Sequence, residues 1–92
     1  MVNKERMKKT FTDLVKIYAP SKGEREVCDY LKQELRKLGA SRIVEDNGGS
    51  INGGNSGNLI ATFNGNAEGL PSIALTGHMD CVECCRNIEP IL

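Results

Sequence analysis

The spacing of the apolar residues changes at Gly39, which divides the chain into a helical first part and a strand-forming second part. Before Gly39 the apolar residues recur every three or four positions, a period typical of amphipathic helices. One such stripe comprises Met7, Phe11, Leu14, Val15 and Tyr18, and a second comprises Val27, Leu31, Leu35 and Leu38. After Gly39 come short runs with β-branched residues, typical of strands. The sequence therefore predicts an α/β fold.

The ends of the two predicted helices carry local signals. Pro20 ends the first helix, because the residue before a proline is pushed out of the helical region. Ser21 and Glu24 have the spacing of a capping box, which predicts the start of the second helix. Gly39 ends that helix, since glycine readily takes the left-handed conformation that follows a helix.

Three strands are predicted after Gly39, over residues 42–45, 58–63 and 72–78. Residues 47–57 contain five glycines and are interpreted as a flexible surface loop. A phosphate-binding loop is set aside there, because the glycines lack the spacing of known phosphate-binding motifs. The connection over residues 64–71 has a length that favours an antiparallel hairpin between the second and third strands.

Composition limits the class of protein. Ninety-two residues suffice for one small domain. No apolar run approaches the roughly 20 residues of a membrane span, and the chain begins with polar residues, so we expect a cytoplasmic protein without membrane contact. The net charge of zero hides an excess of +5 in residues 1–42 and −5 in residues 43–92. The basic residues alternate with acidic ones at helical spacing, which argues against nucleic-acid binding.

The end of the third predicted strand carries the chemically most informative pair, His78 and Asp80. In an extended backbone residues i and i+2 face the same side. The Asp80 carboxylate could therefore hydrogen-bond one imidazole nitrogen of His78 while the other nitrogen binds a metal ion. A lone histidine is often only structural, but Gly77 permits close approach of a ligand, and ligands of open α/β sheets bind at the carboxyl ends of strands.

These residues stand in a longer pattern. The string Ala74-Leu75-Thr76-Gly77-His78-Met79-Asp80, with residues 58–63 before it, resembles the N-terminal part of the co-catalytic zinc exopeptidases of the peptidase T (tripeptide aminopeptidase) type. Residues 11–21 and the second helix over residues 24–38 also resemble the first two helices of that family. The resemblance covers nearly the whole chain.

The resemblance implies a fold, a site and an activity. It implies that residues 1–92 form the N-terminal part of a three-layer α/β/α catalytic domain, with two amphipathic helices packed on three strands of a mixed sheet. It implies that His78 binds one of two zinc ions and that Asp80 is a catalytic residue that orients the imidazole. The substrate would be a short peptide, cleaved at an amide bond by a metal-activated water.

The same resemblance implies that the other metal ligands lie beyond Leu92. One imidazole cannot hold a catalytic zinc ion, which needs about three protein ligands. We therefore expect the 92 residues alone to be inactive. A partial sheet would also leave an edge open, from which we predict a homo-oligomer that pairs through this edge.

The cysteines allow an alternative from another class. Cys81, Cys84 and Cys85 lie within eight residues of His78, a spacing seen in short zinc-binding clips. The alternative is thus a small Cys/His metal-binding or interaction module without catalysis. A disulfide framework is not expected in a chain without export signals, so reduced thiols are predicted. Cys28 lies on the apolar side of the second helix and is predicted to be a small buried residue.

Overall fold

The computed structural model describes residues 2–91 and contains, in chain order, two longer helices, a strand, a short helix and a second strand. Their bounds are α1 Lys4–Val15, α2 Arg25–Lys37, β1 Arg42–Glu45, α3 Gly48–Asn52 and β2 Leu59–Thr62. The α/β class, both long helices and the first two strands are confirmed. The predicted end of the first helix at Pro20 is wrong, because α1 ends at Val15 with Lys16 as its C-cap. A three-stranded sheet and a three-layer arrangement are not found in the described residues.

The two long helices begin and end for local reasons. The Asn3 side chain accepts a hydrogen bond from the Arg6 amide and so caps α1. After α2, the Gly39 amide donates a hydrogen bond to the Arg36 carbonyl, and the Ala40 amide donates one to the Leu35 carbonyl. Gly39 is in the left-handed conformation, with a φ of 94°. This pair of bonds is the Schellman motif. Gly39 therefore ends the helix in the manner that the sequence predicts.

The sheet has two antiparallel strands, β1 and β2, whose register pairs Arg42 with Thr62 and Glu45 with Leu59. Helix α2 contacts both strands. The predicted antiparallel hairpin between the second and third strands is wrong, because residues 72–78 form no strand that could pair with the free edge of β2. The molecule is flat, with principal extents of 45 × 38 × 18 Å.

The third predicted strand is also wrong. Residues 72–78 form no strand, and the side chains of Ile73 and Leu75 are 87% and 94% exposed. A strand needs a partner for its backbone hydrogen bonds, and this segment has none within residues 2–91. Its apolar sequence is therefore suited to a sheet, but the described part of the chain supplies no neighbour for it.

The glycine-rich segment between β1 and β2 is folded, contrary to the prediction of a flexible loop. It contains α3, and the Asp46 carboxylate accepts hydrogen bonds from the amides of Gly48 and Asn58 at 2.9 and 2.7 Å. A hydrogen bond from the Asn58 side chain has the largest effect in lowering the pKa of Asp46, and the two backbone hydrogen bonds lower it further. Glycine is required where the segment packs, because a Cβ on Gly49 would overlap the Ser56 carbonyl oxygen.

A cluster of charged residues joins α2 to the sheet. The Arg25 guanidinium donates to both oxygens of Glu45 at 2.6 and 2.9 Å, and the Lys32 ammonium lies 2.6 Å from one of them. Hydrogen bonds from Arg25, Lys32 and the Gly57 amide hold the pKa of Glu45 far below its usual range. The buried apolar core is small and consists of Ala19, Val27 and Cys28. This polar cluster therefore carries much of the connection between the helix and the strands.

Candidate functional site

The segment that bears the predicted site residues is anchored to the connection between α1 and α2. The Cys81 amide donates to the Ala19 carbonyl at 2.7 Å, and Pro20 and Cys81 form an isolated parallel β-bridge. The Tyr18 hydroxyl donates to the Glu83 carbonyl at 3.1 Å. These contacts fix residues 80–83 on a short extended stretch that Pro20 keeps out of helical conformation.

A further contact involves the ring of Tyr18. The Arg86 guanidinium lies over this ring, 4.5 Å from its centroid, in the arrangement of a cation–π interaction. Tyr18 thus contacts the site segment at two points, through its hydroxyl and through its ring face.

The structure brings His78 and Asp80 together. Nδ1 of His78 lies 3.7 Å from Oδ1 of Asp80, a distance longer than a hydrogen bond but short enough for electrostatic attraction. The His78 side chain is 95% exposed, so Nε2 is open to solvent. The two side chains are therefore neighbours, as their spacing predicts, but the predicted hydrogen bond between them is not formed.

Ser21 completes this arrangement in a way that the sequence did not reveal. Its hydroxyl donates a hydrogen bond to Oδ2 of Asp80. The predicted capping box is wrong, because the N-cap of α2 is Glu24 and the Ser21 hydroxyl is turned to Asp80 instead. Since Ser21 occupies one carboxylate oxygen, the other remains directed at His78. No local sequence signal reports this role, because Ser21 and Asp80 are 59 positions apart in the chain.

An apolar cleft of about 460 Å³ lies beside this pair, between the two long helices and the site segment. The helices supply its aliphatic wall, and the site segment supplies the opposite wall. The lining residues are Leu14, Val15, Ile17, Ala19, Val27, Leu31, His78, Met79, Cys81, Cys85 and Ile88. The cleft is therefore suited to an apolar group close to the imidazole.

The cysteines correct one prediction and agree with another. The sulfur atoms of Cys81 and Cys85 are bonded, whereas reduced thiols were predicted. The reason is a turn closed by the Cys85 amide on the Val82 carbonyl, which brings the two Cα atoms to 6.4 Å, within the range of a disulfide. Cys28 is completely buried, as predicted, and this burial raises the pKa of its thiol.

The donor set for a metal is incomplete in the described residues. Between residues 2 and 91 no group of three or more His, Cys, Asp or Glu side chains is placed to hold a metal ion. The cysteine clip with His78 is accordingly not assembled, since two of its thiols are bonded to each other. What residues 78–80 supply is one exposed imidazole and a carboxylate that can orient it.

Comparison with known proteins relates the chain to parts of longer ones. It is 36% identical over all 92 of its residues to the uncharacterized protein YqjE of Bacillus subtilis, of which it spans 24%. Over 72 residues, 77% of the chain, it is 38% identical to probable succinyl-diaminopimelate desuccinylases of two Staphylococcus epidermidis strains, of which it spans 16%. No protein-family model matches the chain, and no solved structure matches it.

The chain is thus similar to a segment of longer proteins that include a probable desuccinylase, an enzyme whose name describes removal of a succinyl group from diaminopimelate. The chain is therefore distantly similar to part of a hydrolase. It spans well under two thirds of the length of each of these relatives. Among the helices within residues 2–91, none is both long and apolar enough to cross a membrane.

Proposed function

We propose that this chain is a segment of a metal-dependent hydrolase that cleaves amide bonds of short peptides at their amino end. The observation that carries the proposal is the pair of His78 and Asp80, with Nδ1 and Oδ1 at 3.7 Å and the opposite imidazole nitrogen exposed. The similarity to probable desuccinylases supports amide hydrolysis as the reaction class. The resemblance to peptidase T-like zinc exopeptidases supports zinc as the metal, with two ions in the complete site.

The residues present fit one part of such a site. His78 would hold a zinc ion through Nε2, and the Asp80 carboxylate favours the proton on Nδ1, which leaves the lone pair on Nε2. The Ser21 hydroxyl fixes Asp80 so that Oδ1 faces the imidazole. When bound, the metal would supply an activated water and polarise the scissile carbonyl. The remaining ligands would come from the additional length that the relatives have.

The apolar cleft beside His78 gives the proposed substrate a place. Its walls consist of aliphatic side chains such as Leu14 and Val27, together with Met79. An apolar substrate side chain would bury its surface there while the amide group faces the imidazole. In this arrangement α1 and α2 contribute binding, and residues 78–80 contribute the group that holds the metal.

Zinc binding gives a direct test, because His78 is the only histidine of the chain. With Cys84 replaced by serine and the Cys81–Cys85 bond intact, Zn²⁺ should shift the His78 imidazole signals in NMR spectra. H78A should abolish this binding, and D80N should weaken it by about 10-fold or more because the imidazole loses its carboxylate partner. E83Q is the matched control, since it removes an exposed carboxylate three residues away, and equal affinity of D80N and E83Q would contradict the role of Asp80.

The activity is tested in a chimera in which residues 1–92 replace the matching segment of YqjE. Such a protein, supplied with Zn²⁺, should hydrolyse an unblocked tripeptide, and H78A should reduce kcat by about a hundredfold or more, as expected for loss of a metal ligand. Hydrolysis of an N-succinyl amino acid but not of the tripeptide would contradict the aminopeptidase assignment, while the assignment to the hydrolases would stand. If neither the chimera nor YqjE itself hydrolyses either compound, the aminopeptidase assignment and the hydrolase assignment are both contradicted.

We propose in addition that the protein self-associates through its sheet. Within residues 2–91 strand β2 pairs on one side only. Ile73 and Leu75, eleven and thirteen residues after the end of β2, are exposed. Burying these side chains between two copies removes apolar surface from water. Light scattering over a concentration series should show a dimer or larger species, and L75K should shift it to the monomer. A monomer at every concentration would contradict self-association, and N66K in the preceding exposed loop is the control for added charge.

A further inference from the structure

Three cysteines within five residues are in two different chemical states. Cys81 and Cys85 are joined, while Cys84, between them in the same turn, is a free and exposed thiol. The two bonded residues are half-buried at the surface. A bond that closes such a short loop removes little entropy from the unfolded chain, so it stabilises the fold less than a long-range bond does. Short-range bonds that lie at the protein surface are accessible to small thiols, which can reduce them.

The loop closed by this bond is also the loop that anchors the candidate site. The backbone amide of its first residue, Cys81, donates a hydrogen bond to the Ala19 carbonyl. The backbone carbonyl of Glu83 accepts a hydrogen bond from the Tyr18 hydroxyl. Asp80 directly precedes the loop, and Cys85 lines the same cleft as His78. The conformation of residues 81–85 therefore determines whether Asp80 stays at Ser21 and next to His78.

We propose that the Cys81–Cys85 bond is a reversible redox switch that orders residues 80–86 on the connection between α1 and α2, with a small-molecule thiol–disulfide couple such as glutathione as its partner. The inference concerns this loop alone and does not depend on the proposed hydrolase activity. In the oxidised state the turn is closed and the His78–Asp80 pair is held. In the reduced state the turn opens and the segment loses its anchor.

The chemical step is an exchange of two electrons. One glutathione thiolate attacks a sulfur of the Cys81–Cys85 bond, forms a mixed disulfide and releases the other cysteine as a thiolate. A second glutathione thiolate attacks the glutathione sulfur of the mixed disulfide, which releases the second cysteine and forms glutathione disulfide. The two protons of the glutathione thiols end on Cys81 and Cys85. Oxidation is the reverse, with glutathione disulfide as the electron acceptor.

Alkylation of the native protein tests the switch, with a metal chelator present so that thiols are not protected by bound metal. In a buffer with glutathione disulfide we expect one reactive thiol, that of Cys84. In a buffer with reduced glutathione we expect three reactive thiols, those of Cys81, Cys84 and Cys85. Cys28 is fully buried and should stay unreacted in both, which reports that the fold is intact. Three reactive thiols in every buffer, or one in every buffer, would overturn the proposal.

Hydrogen exchange tests the structural consequence. We expect reduction to speed exchange of the Cys81 amide by about tenfold or more, because its bond to Ala19 opens locally, while amides of α2 are unchanged. C85S should exchange like the reduced protein in both buffers. C84S is the matched control, and it should respond like the parent because its thiol is outside the bond. A C85S protein that exchanges like the oxidised parent would show that the bond orders nothing.

Discussion

Replacing Gly57 by alanine should destabilise the protein by about 3 kcal/mol, because the new Cβ would overlap the backbone carbonyl of Asp46. The neighbouring atoms are backbone, so they cannot move aside as the end of a flexible side chain can. The same substitution disturbs the Gly57 amide, which donates to Glu45 at 2.9 Å. In a chain of this size such a loss corresponds to a fall in melting temperature of about 15 °C.

Thermal and urea unfolding of G57A and the parent measure this effect. The matched control is G65A, where a Cβ would meet no atom of residues 2–91 within 4 Å. Both substitutions reduce the freedom of the unfolded chain equally, so their difference isolates the steric term. Equal midpoints for G57A and G65A would contradict the close packing of the glycine-rich segment on β1.

The second large effect is expected at Glu45. E45Q keeps the shape of the side chain but removes the charge that Arg25 and Lys32 share, which breaks the ion pair of Lys32 and leaves Arg25 paired with Asp29. Breaking a buried ion pair costs roughly 3–5 kcal/mol, and we expect about 2 kcal/mol here because Arg25 is 38% exposed. Urea unfolding at neutral pH measures the difference, and E68Q, at an exposed glutamate, is the control.

The same residue predicts a pH dependence. The pKa of Glu45 in the folded protein lies well below its ordinary value of 4.5, chiefly because of the hydrogen bond from Arg25. A carboxylate with a depressed pKa stabilises the folded state fully above its unfolded pKa and loses this contribution as the pH falls. The parent should therefore lose stability below about pH 4.5 more steeply than E45Q. Parallel curves for the two proteins in this range would contradict the assignment.

Apart from α3, the elements found in the structure are those whose sequence signals are local. Periodicity predicted α1, α2, β1 and β2, and the left-handed Gly39 predicted the end of α2, because each depends on neighbouring residues. Residues 72–78 failed as a strand for the opposite reason. Their composition suits a strand, but strand formation depends on a partner that the pattern itself does not supply.

The site was predicted in part for similar reasons. The spacing of His78 and Asp80 brought them together, but the hydrogen bond from Ser21 joins positions 59 residues apart, which no local pattern reports. The charged cluster was also missed, since Glu45 at the end of a strand has the pattern of a solvent-facing residue. The Cys81–Cys85 bond depends on the turn between the two residues, and the lack of an export signal in the sequence does not report that turn.

Helix α2 takes part of its N-terminal cap from a residue 30 positions later in the chain. The Arg25 amide donates to Oδ1 of Asn55 at 3.0 Å, and the Arg25 guanidinium reaches the Asn55 carbonyl at 3.2 Å. Because Asn55 reaches Arg25 only when the glycine-rich segment has closed, the first turn of α2 has this cap only while that segment is folded. The start of this helix and the connection between the two strands should therefore form and open as one cooperative unit.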